Sequence, residues 1–426
     1  MPSGVSTTGQ VWRRRLLFAL LYFSEGAPIG YIWWAMPTRL RASGMPVDQV
    51  AALTALLTLP WALKFLWAPA VDAFRGRRFG YRMWITVAQL AMGITLLPLA
   101  ALPAESIIGF VKWLLIAHAF AATTQDVAID ALAISTVPHD ERGKLTGWMQ
   151  AGMLLGRGIF GGLALVAEKW LTAQGVVAVL IGCIWVTLLV VWLSPSLVGK
   201  PPAARDAMRG FTSSIRRVIL KRSTWIGMGI ALTAGAGFEA VGGLAGSFLL
   251  DEGASKERIG WFLAIPAISA MIIGSLVGGW AADRYGHRRM LVSAVIAIAC
   301  CIGLLVASRA ISDERAIMQM TVLLPIYVWL GVLTASSYAL FMDLSDPAIG
   351  GTQFSAFMGA TNLCEVWAVA LAGWIVRREG YSMAFGALAL LSFVSIVYVV
   401  GLGKLGKAGR LQSAKSETDL PDEVDA

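Results

Sequence analysis

Long apolar runs set the terms for this chain. Between residues 16 and 403 it repeats stretches of about twenty apolar residues, near 16–36, 48–69, 82–102, 109–136, 145–167 and 172–194, then near 224–249, 257–281, 289–308, 317–342, 350–376 and 381–403. A bilayer core about 30 Å thick is crossed by a helix of roughly 20 such residues. No water is available there for the backbone, so every peptide group must bond within its own helix. Charged residues make up only 14% of the sequence, against about 25% in an average soluble domain. The expected fold is therefore an all-α integral membrane protein with twelve transmembrane helices.

The distribution of Lys and Arg orients it. With both termini cytoplasmic, the inner segments hold Arg13 to Arg15, the loops at Arg75–Arg82 and Arg142–Lys144, a basic linker, Arg284–Arg289 and the C-terminal Lys404 to Lys415. That places roughly 23 basic residues inside and about 10 outside, as the positive-inside rule requires. The net charge of +9 is thus a topology signal, and no soluble basic face exists to bind nucleic acid. The first run continues to about Met36, too long for a signal peptide, and is expected to stay in the membrane. The linker at 196–222, carrying Pro201-Pro202, divides two six-helix halves, 1–195 and 223–403. Residues 404–426 read as a disordered cytoplasmic tail. Leu40, Gly44 and Val50 precede a proline-containing span in the first half, as Leu249, Gly253 and Ile259 do in the second. Pseudo-symmetric halves point to a transporter with its site at their interface.

Within the spans, ionisable residues are costly and mark function by default. Asp126, Asp130 and Arg157 flank the polar hinge Pro138–Lys144. Asp126 and Arg157 are almost equidistant from it, each about 18 Å along a helix and so near the bilayer middle. A direct or bridged Asp126–Arg157 pair is expected, with Asp130 one turn nearer the inside. Glu25 lies about 15 Å beyond Arg15, beside Gly26 and Pro28, and is a candidate proton carrier; the alternative is a carboxylate held neutral by a hydroxyl such as Ser24. Glu365 is a second candidate. Trp33, Gln125, Glu239 and Asn362 are candidate cavity residues, Trp33 by stacking on a sugar or aromatic ring. Lys64, near the inner end of its span, reads as a snorkelling side chain. His118 reads as a packed, hydrogen-bonded residue.

Other chemistries find no support. There is no GxxxxGK[ST] phosphate loop for an ATP-driven pump, no HExxH and no Ser/His/Asp set. The nearest approach to an enzyme site, as for a membrane-embedded acyltransferase, is His139-Asp140-Glu141 in a loop. Cys183, Cys300, Cys301 and Cys364 sit in apolar runs and read as core residues. No metal and no cofactor is expected.

Two loops carry signatures. Gly279-Trp-Ala-Ala-Asp283-Arg284-Tyr-Gly286-His-Arg288-Arg289 resembles the GxxxDRxGRR loop of the major facilitator superfamily, and Ala68-Pro-Ala-Val-Asp72-Ala-Phe-Arg75-Gly-Arg77-Arg78 is a looser copy. Asp72, Arg75, Asp283, Arg284 and Arg288 are the expected inner gate. Gly152, Gly156, Gly158, Gly161 and Gly162 are similar to the fifth-span glycine motif of the same superfamily, with Arg157 where proline is usual. A narrower resemblance lies in Leu59-Pro-Trp-Ala-Leu-Lys-Phe-Leu-Trp-Ala-Pro-Ala-Val-Asp72, Ala122-Thr-Thr-Gln-Asp-Val-Ala-Ile-Asp130-Ala and Tyr22-Phe-Ser-Glu-Gly-Ala-Pro28. These resemble the AmpG-type muropeptide permeases and related acetyl-CoA transporters. The resemblance implies the twelve-span facilitator fold, alternating access and proton-coupled import of a bulky polar solute across a bacterial inner membrane, by a monomer. The solute would be an anhydro-muropeptide, with siderophores and acyl-CoA as the group's alternatives.

Overall fold

The computed structural model describes residues 8–73, 80–102, 108–136, 142–194, 221–308, 315–345 and 350–402. Most of the linker 196–222, the tail 404–426, His139 to Glu141, Arg75 and the side chain of Asp72 lie outside the described residues. Ten helical stretches are long and apolar enough to cross a membrane. One of them, 148–193, runs to 46 residues. It is broken at Thr172, whose φ of 53° and ψ of 168° are not helical. Beyond the break the chain turns back, since Ser194 at its end accepts a hydrogen bond from Arg82 at the start of the third helix. The helix Ile108–Thr136 stands beside these.

The helical rods are accordingly α1 (8–42), α2 (47–73), α3 (Tyr81–Ala101), α4 (Ile108–Thr136), α5 (142–171) and α6 (173–193), then α7 (222–251), α8 (256–285), α9 (His287–Ser308), α10 (Arg315–Leu344), α11 (Gly350–Glu379) and α12 (381–402). Large apolar side chains point outward along them. Leu155, Val186, Leu276, Leu304 and Val397 are among many exposed ones, as a lipid-facing surface demands.

Both α1 and α7 end the same way. Met45 N–H bonds Leu40 O and Gly44 N–H bonds Arg41 O, and Ala254 and Gly253 bond Leu249 and Leu250 identically. Gly44 and Gly253 have φ of 94° and 91°, the left-handed turn that closes a Schellman motif and suits glycine. The Leu40/Leu249 correspondence in the sequence is thus a repeated piece of backbone. Helix α1 also widens at Tyr31–Ala35 into a π-turn. Pro37, four residues beyond Trp33, lacks an N–H and would clash with the carbonyl there, and the extra residue in the turn relieves both.

Helices α1 and α5 run parallel at backbone contact. A Cβ on Gly26 would meet Met153 O at 2.1 Å, and one on Gly152 would meet Ala19 O at 2.0 Å. Helices pack this closely in lipid only where small residues allow it. The fifth-span glycines are therefore packing residues, and they also serve the other six helices: a Cβ on Gly162 would lie 2.6 Å from Gly260 O of α8. Gly26→Leu or Gly152→Leu should lower the melting temperature of the detergent-purified protein through overpacking worth at least about 1–3 kcal/mol. Gly303→Ala, where nothing lies within 4 Å, should not lower it. Unchanged melting in the first two variants would contradict the contact.

Candidate functional site

The far face of the bundle, opposite the start of α1 and the end of α12, is where α1–α6 and α7–α12 are pinned together. Arg41, just before the α1 cap, donates through Nε to both carboxylate oxygens of Asp251 at 2.9 and 3.1 Å, and Tyr381 donates to Asp251 at 2.7 Å. Arg377 of α11 meets Asp48 of α2 at 2.6 Å. Glu168 of α5 takes Arg39 at 2.9 Å and Lys256 of α8 at 3.3 Å, and Lys169 pairs with Glu257. The more exposed of these pairs, such as Lys169–Glu257, contribute roughly 0.2–1 kcal/mol each.

At the opposite face the described residues of the expected gate make no contact across to the first six helices. Asp283 is largely exposed and meets His287 at 3.5 Å; His287 in turn meets Asp343 at 2.6 Å. Arg284 lies 5.9 Å over the rings of Trp280 and Tyr285, and Arg288 is exposed. These contacts stay within α8–α10. Among the described residues Asp283 has no arginine partner from the first six helices.

Midway along the bundle lies a cluster of buried charges. Asp126 of α4 does not pair with Arg157. It holds Lys64 Nζ of α2 at 2.7 Å, with side-chain exposures of 5% and 14%. Lys64 does not snorkel. It begins a 3-10 turn, Lys64–Leu66, between Pro60 and Pro69, which carries its chain inward toward α4. Nearby, Tyr22 of α1 donates to Asp130. Gln125 is fully buried and faces away from the charges: it and Gln89 both donate to Ser24 Oγ at 3.1 Å, and Gln89 also reaches Thr187 at 3.1 Å. Ser24 donates to Leu21 O at 2.7 Å. Its hydroxyl is therefore not available to hold Glu25 neutral, which removes the alternative reading of that carboxylate. Glu25 is 2% exposed, and its Oε2 has no hydrogen-bond partner. His118 is packed as expected, donating from Nδ1 to Met92 O at 3.0 Å.

Arg157 ends the α-helical part of α5 and is followed by a π-turn, Gly158–Leu163. Its backbone abuts Gly30, where a Cβ would come within 2.6 Å of Arg157 O. That contact sets its guanidinium 4.6 Å over the Trp33 ring, one turn along α1. Its Nε is buried without a hydrogen-bond partner. Glu365 of α11, Glu239 of α7, Tyr338 of α10 and Glu25 surround it electrostatically. Glu239 follows the break in α7 at Ala234–Gly235, where its Oε1 approaches Gly235. Trp33 donates to Thr58 at 2.8 Å and lies 6.2 Å from the Trp61 ring. Asn362 crosses from α11 to donate to Trp61 O at 3.2 Å. The seam between the two sets of helices therefore offers aromatic faces, one incompletely bonded cation and three carboxylates. Lys64, Tyr22 and Tyr338 were not among the expected site residues; of these only Lys64 left a trace in the sequence, as a charge inside an apolar run.

The model of the Major Facilitator Superfamily matches residues 18–308 and 227–420. The chain is 25% identical over 377 residues to the anhydromuropeptide permease of Escherichia coli K12, covering 87% of this chain and 75% of that one. It is 22% identical over 387 residues to the putative transporter AmpG 4 of Rickettsia conorii, covering 86% and 91%. Among solved structures it resembles a D-xylose-proton symporter with a TM-score of 0.70 at 14% identity, over 90% of this chain and 97% of that one. The inward-open xylose transporter XylE of E. coli gives a TM-score of 0.68 at 12% identity, over 91% and 95%. With an all-helical bundle of this fold and a family match across most of its length, the chain is a multi-pass membrane transporter, not an enzyme, and belongs to the Major Facilitator Superfamily.

Proposed function

We propose that this transporter imports anhydromuropeptide together with protons across a bacterial inner membrane, as a monomer with both termini in the cytoplasm. The observation that carries the reading is the seam itself. Glu25, whose buried Oε2 has no hydrogen-bond partner, and Arg157, whose buried Nε has none, stand on the paired helices α1 and α5, the second with its guanidinium over Trp33. A muropeptide joins sugar rings to a peptide bearing carboxylates and an amine. Trp33 and Trp61 suit the sugar faces, Arg157 suits a carboxylate, and Glu239 and Glu365 suit an amine. The name of the E. coli relative supports the choice of solute.

In this mechanism halves 1–195 and 223–403 rock about the seam. From the outside, with the Arg41–Asp251 and Arg377–Asp48 pairs broken, Glu25 takes a proton and Arg157 takes the solute. Neutralising Glu25 leaves Arg157 free for the incoming carboxylate. The far-face pairs then close, giving the state described above, and solute and proton leave inward. Asp72, Arg75, Asp283, Arg284 and Arg288 latch the inner face in the opposite state. Lys64–Asp126 and Tyr22–Asp130 give the neighbouring carboxylates partners of their own, which leaves Glu25 as the carboxylate without one. A siderophore or acyl-CoA would enter the same seam and is the alternative cargo.

In proteoliposomes, an acid-outside gradient should drive accumulation of labelled anhydromuropeptide. Glu25→Gln should abolish that accumulation, by at least about tenfold, while retaining solute exchange at equal pH. Full gradient-driven accumulation in this variant would remove Glu25 from the coupling. If excess siderophore or acyl-CoA, and not unlabelled muropeptide, displaces the label, the cargo assignment fails. Lys64→Met or Asp126→Asn alone should destabilise the protein by about 3–5 kcal/mol, since each strands a buried charge. The double variant should recover much of that stability, measured by thermal unfolding, without recovering proton-driven uptake.

A further inference from the structure

Helices α2 and α4 meet at their inner halves through Lys64–Asp126 and the Trp67–Phe120 rings, 5.3 Å apart. Between their outer halves they leave a cavity of about 310 Å³. Its walls are aliphatic, including Leu53 and Leu56 of α2 and Leu115 of α4, and Ala52 opens it toward lipid. From Gln49 to Leu56 it runs about 10 Å along the helix. The matching place in the second set is closed. Gly44 and Gly253 fix the register at the start of α2 and α8, so Leu53 corresponds to Phe262. Phe262 and Tyr327 pack ring against ring at 6.1 Å. Helices α8 and α10 are also in backbone contact: a Cβ on Gly274 would lie 1.9 Å from Val328 O.

The mouth of the open cleft is basic. Lys112 is exposed and has a ring, that of Trp113 at 6.0 Å, but no carboxylate partner among the described residues. Arg39 lines the same cavity. Phe110 and Trp113 beside it are 61% and 67% exposed, the placing of an aromatic belt at a headgroup boundary.

We propose that this cleft binds one anionic glycerophospholipid of the outer leaflet, with an acyl chain between α2 and α4 and its phosphate against Lys112 and Arg39. The aliphatic walls suit a hydrocarbon chain, and the two cations at the far-face end suit a phosphate at headgroup level. Arg39 also holds Glu168, which reaches Lys256 of α8. The phosphate therefore competes with Glu168 for one guanidinium, and the lipid loosens the α1–α5 contact at the closed mouth.

Native mass spectrometry of the full chain, titrated with phosphatidylglycerol and with phosphatidylcholine of the same acyl chains, tests the site. Wild type should retain one phosphatidylglycerol about fivefold or more tightly than phosphatidylcholine, the increment of about one charge pair at a membrane surface. Lys112→Ala should erase that preference, and Leu56→Trp, which fills the cavity, should remove the adduct. Lys112→Ala alters a solvent-exposed side chain and keeps the test open if Leu56→Trp fails to fold. Equal retention of both lipids by wild type, or a preference unchanged in Lys112→Ala, overturns the proposal. Hydrogen exchange around residues 164–171 and 250–258 should rise when phosphatidylglycerol replaces phosphatidylcholine in nanodiscs, and should not in Lys112→Ala. Exchange that is the same in both lipids for wild type rules out the competition for Arg39.

Discussion

Lys64 and Asp126 hold each other in a medium that tolerates neither alone. Taking two ions out of water costs several kcal/mol apiece, and their attraction offsets that cost only with close geometry. At 2.7 Å they have it. The pair fixes α2 against α4 at mid-bundle and settles the positions of the groups around it. Asp130 turns to Tyr22, and the amides of Gln89 and Gln125 close on Ser24. Once these partners are assigned, Glu25 and Arg157 are left with unmet bonding capacity, at the boundary between the two sets of helices.

Two kinds of contact serve two different needs. The α1–α5 and α8–α10 contacts are backbone against backbone through glycines, dense and without alternatives. The contacts at the far face are ion pairs, each with a small net free energy and each replaceable by water. A protein that must change shape without unfolding needs both: units that stay intact and boundaries that can be exchanged. The glycine contact of Gly162 with α8 lies on such a boundary. It lets the sets touch closely there without interlocking side chains.

Much of this was legible in the sequence. The apolar runs fixed where helices form, and the mid-span charges marked the depth of the site. The Leu40/Leu249 register proved to be a real repeat. What was hidden depended on how helices face one another. Asp126 and Gln125 are adjacent, yet a helix turns 100° per residue, so one meets Lys64 and the other a polar network behind α1. Lys64 looked like a terminal lysine because the run shows its depth but not the 3-10 turn between two prolines. The gate motifs marked candidate residues for an inner latch, with Arg75 and the Asp72 side chain outside the described residues. They carried no information on which face is closed, since one sequence serves every state.

The two sets of helices are related in register but unequal in stiffness. Helices α8 and α10, joined through Gly274, Gly278 and Gly331, form a solid beam. Helices α2 and α4, bolted at one end by an ion pair and separated at the other, form a fork. Strain between the two sets is therefore taken up more easily by the fork than by the beam, and the fork lies in the six helices that also carry Glu25, Asp126 and Asp130.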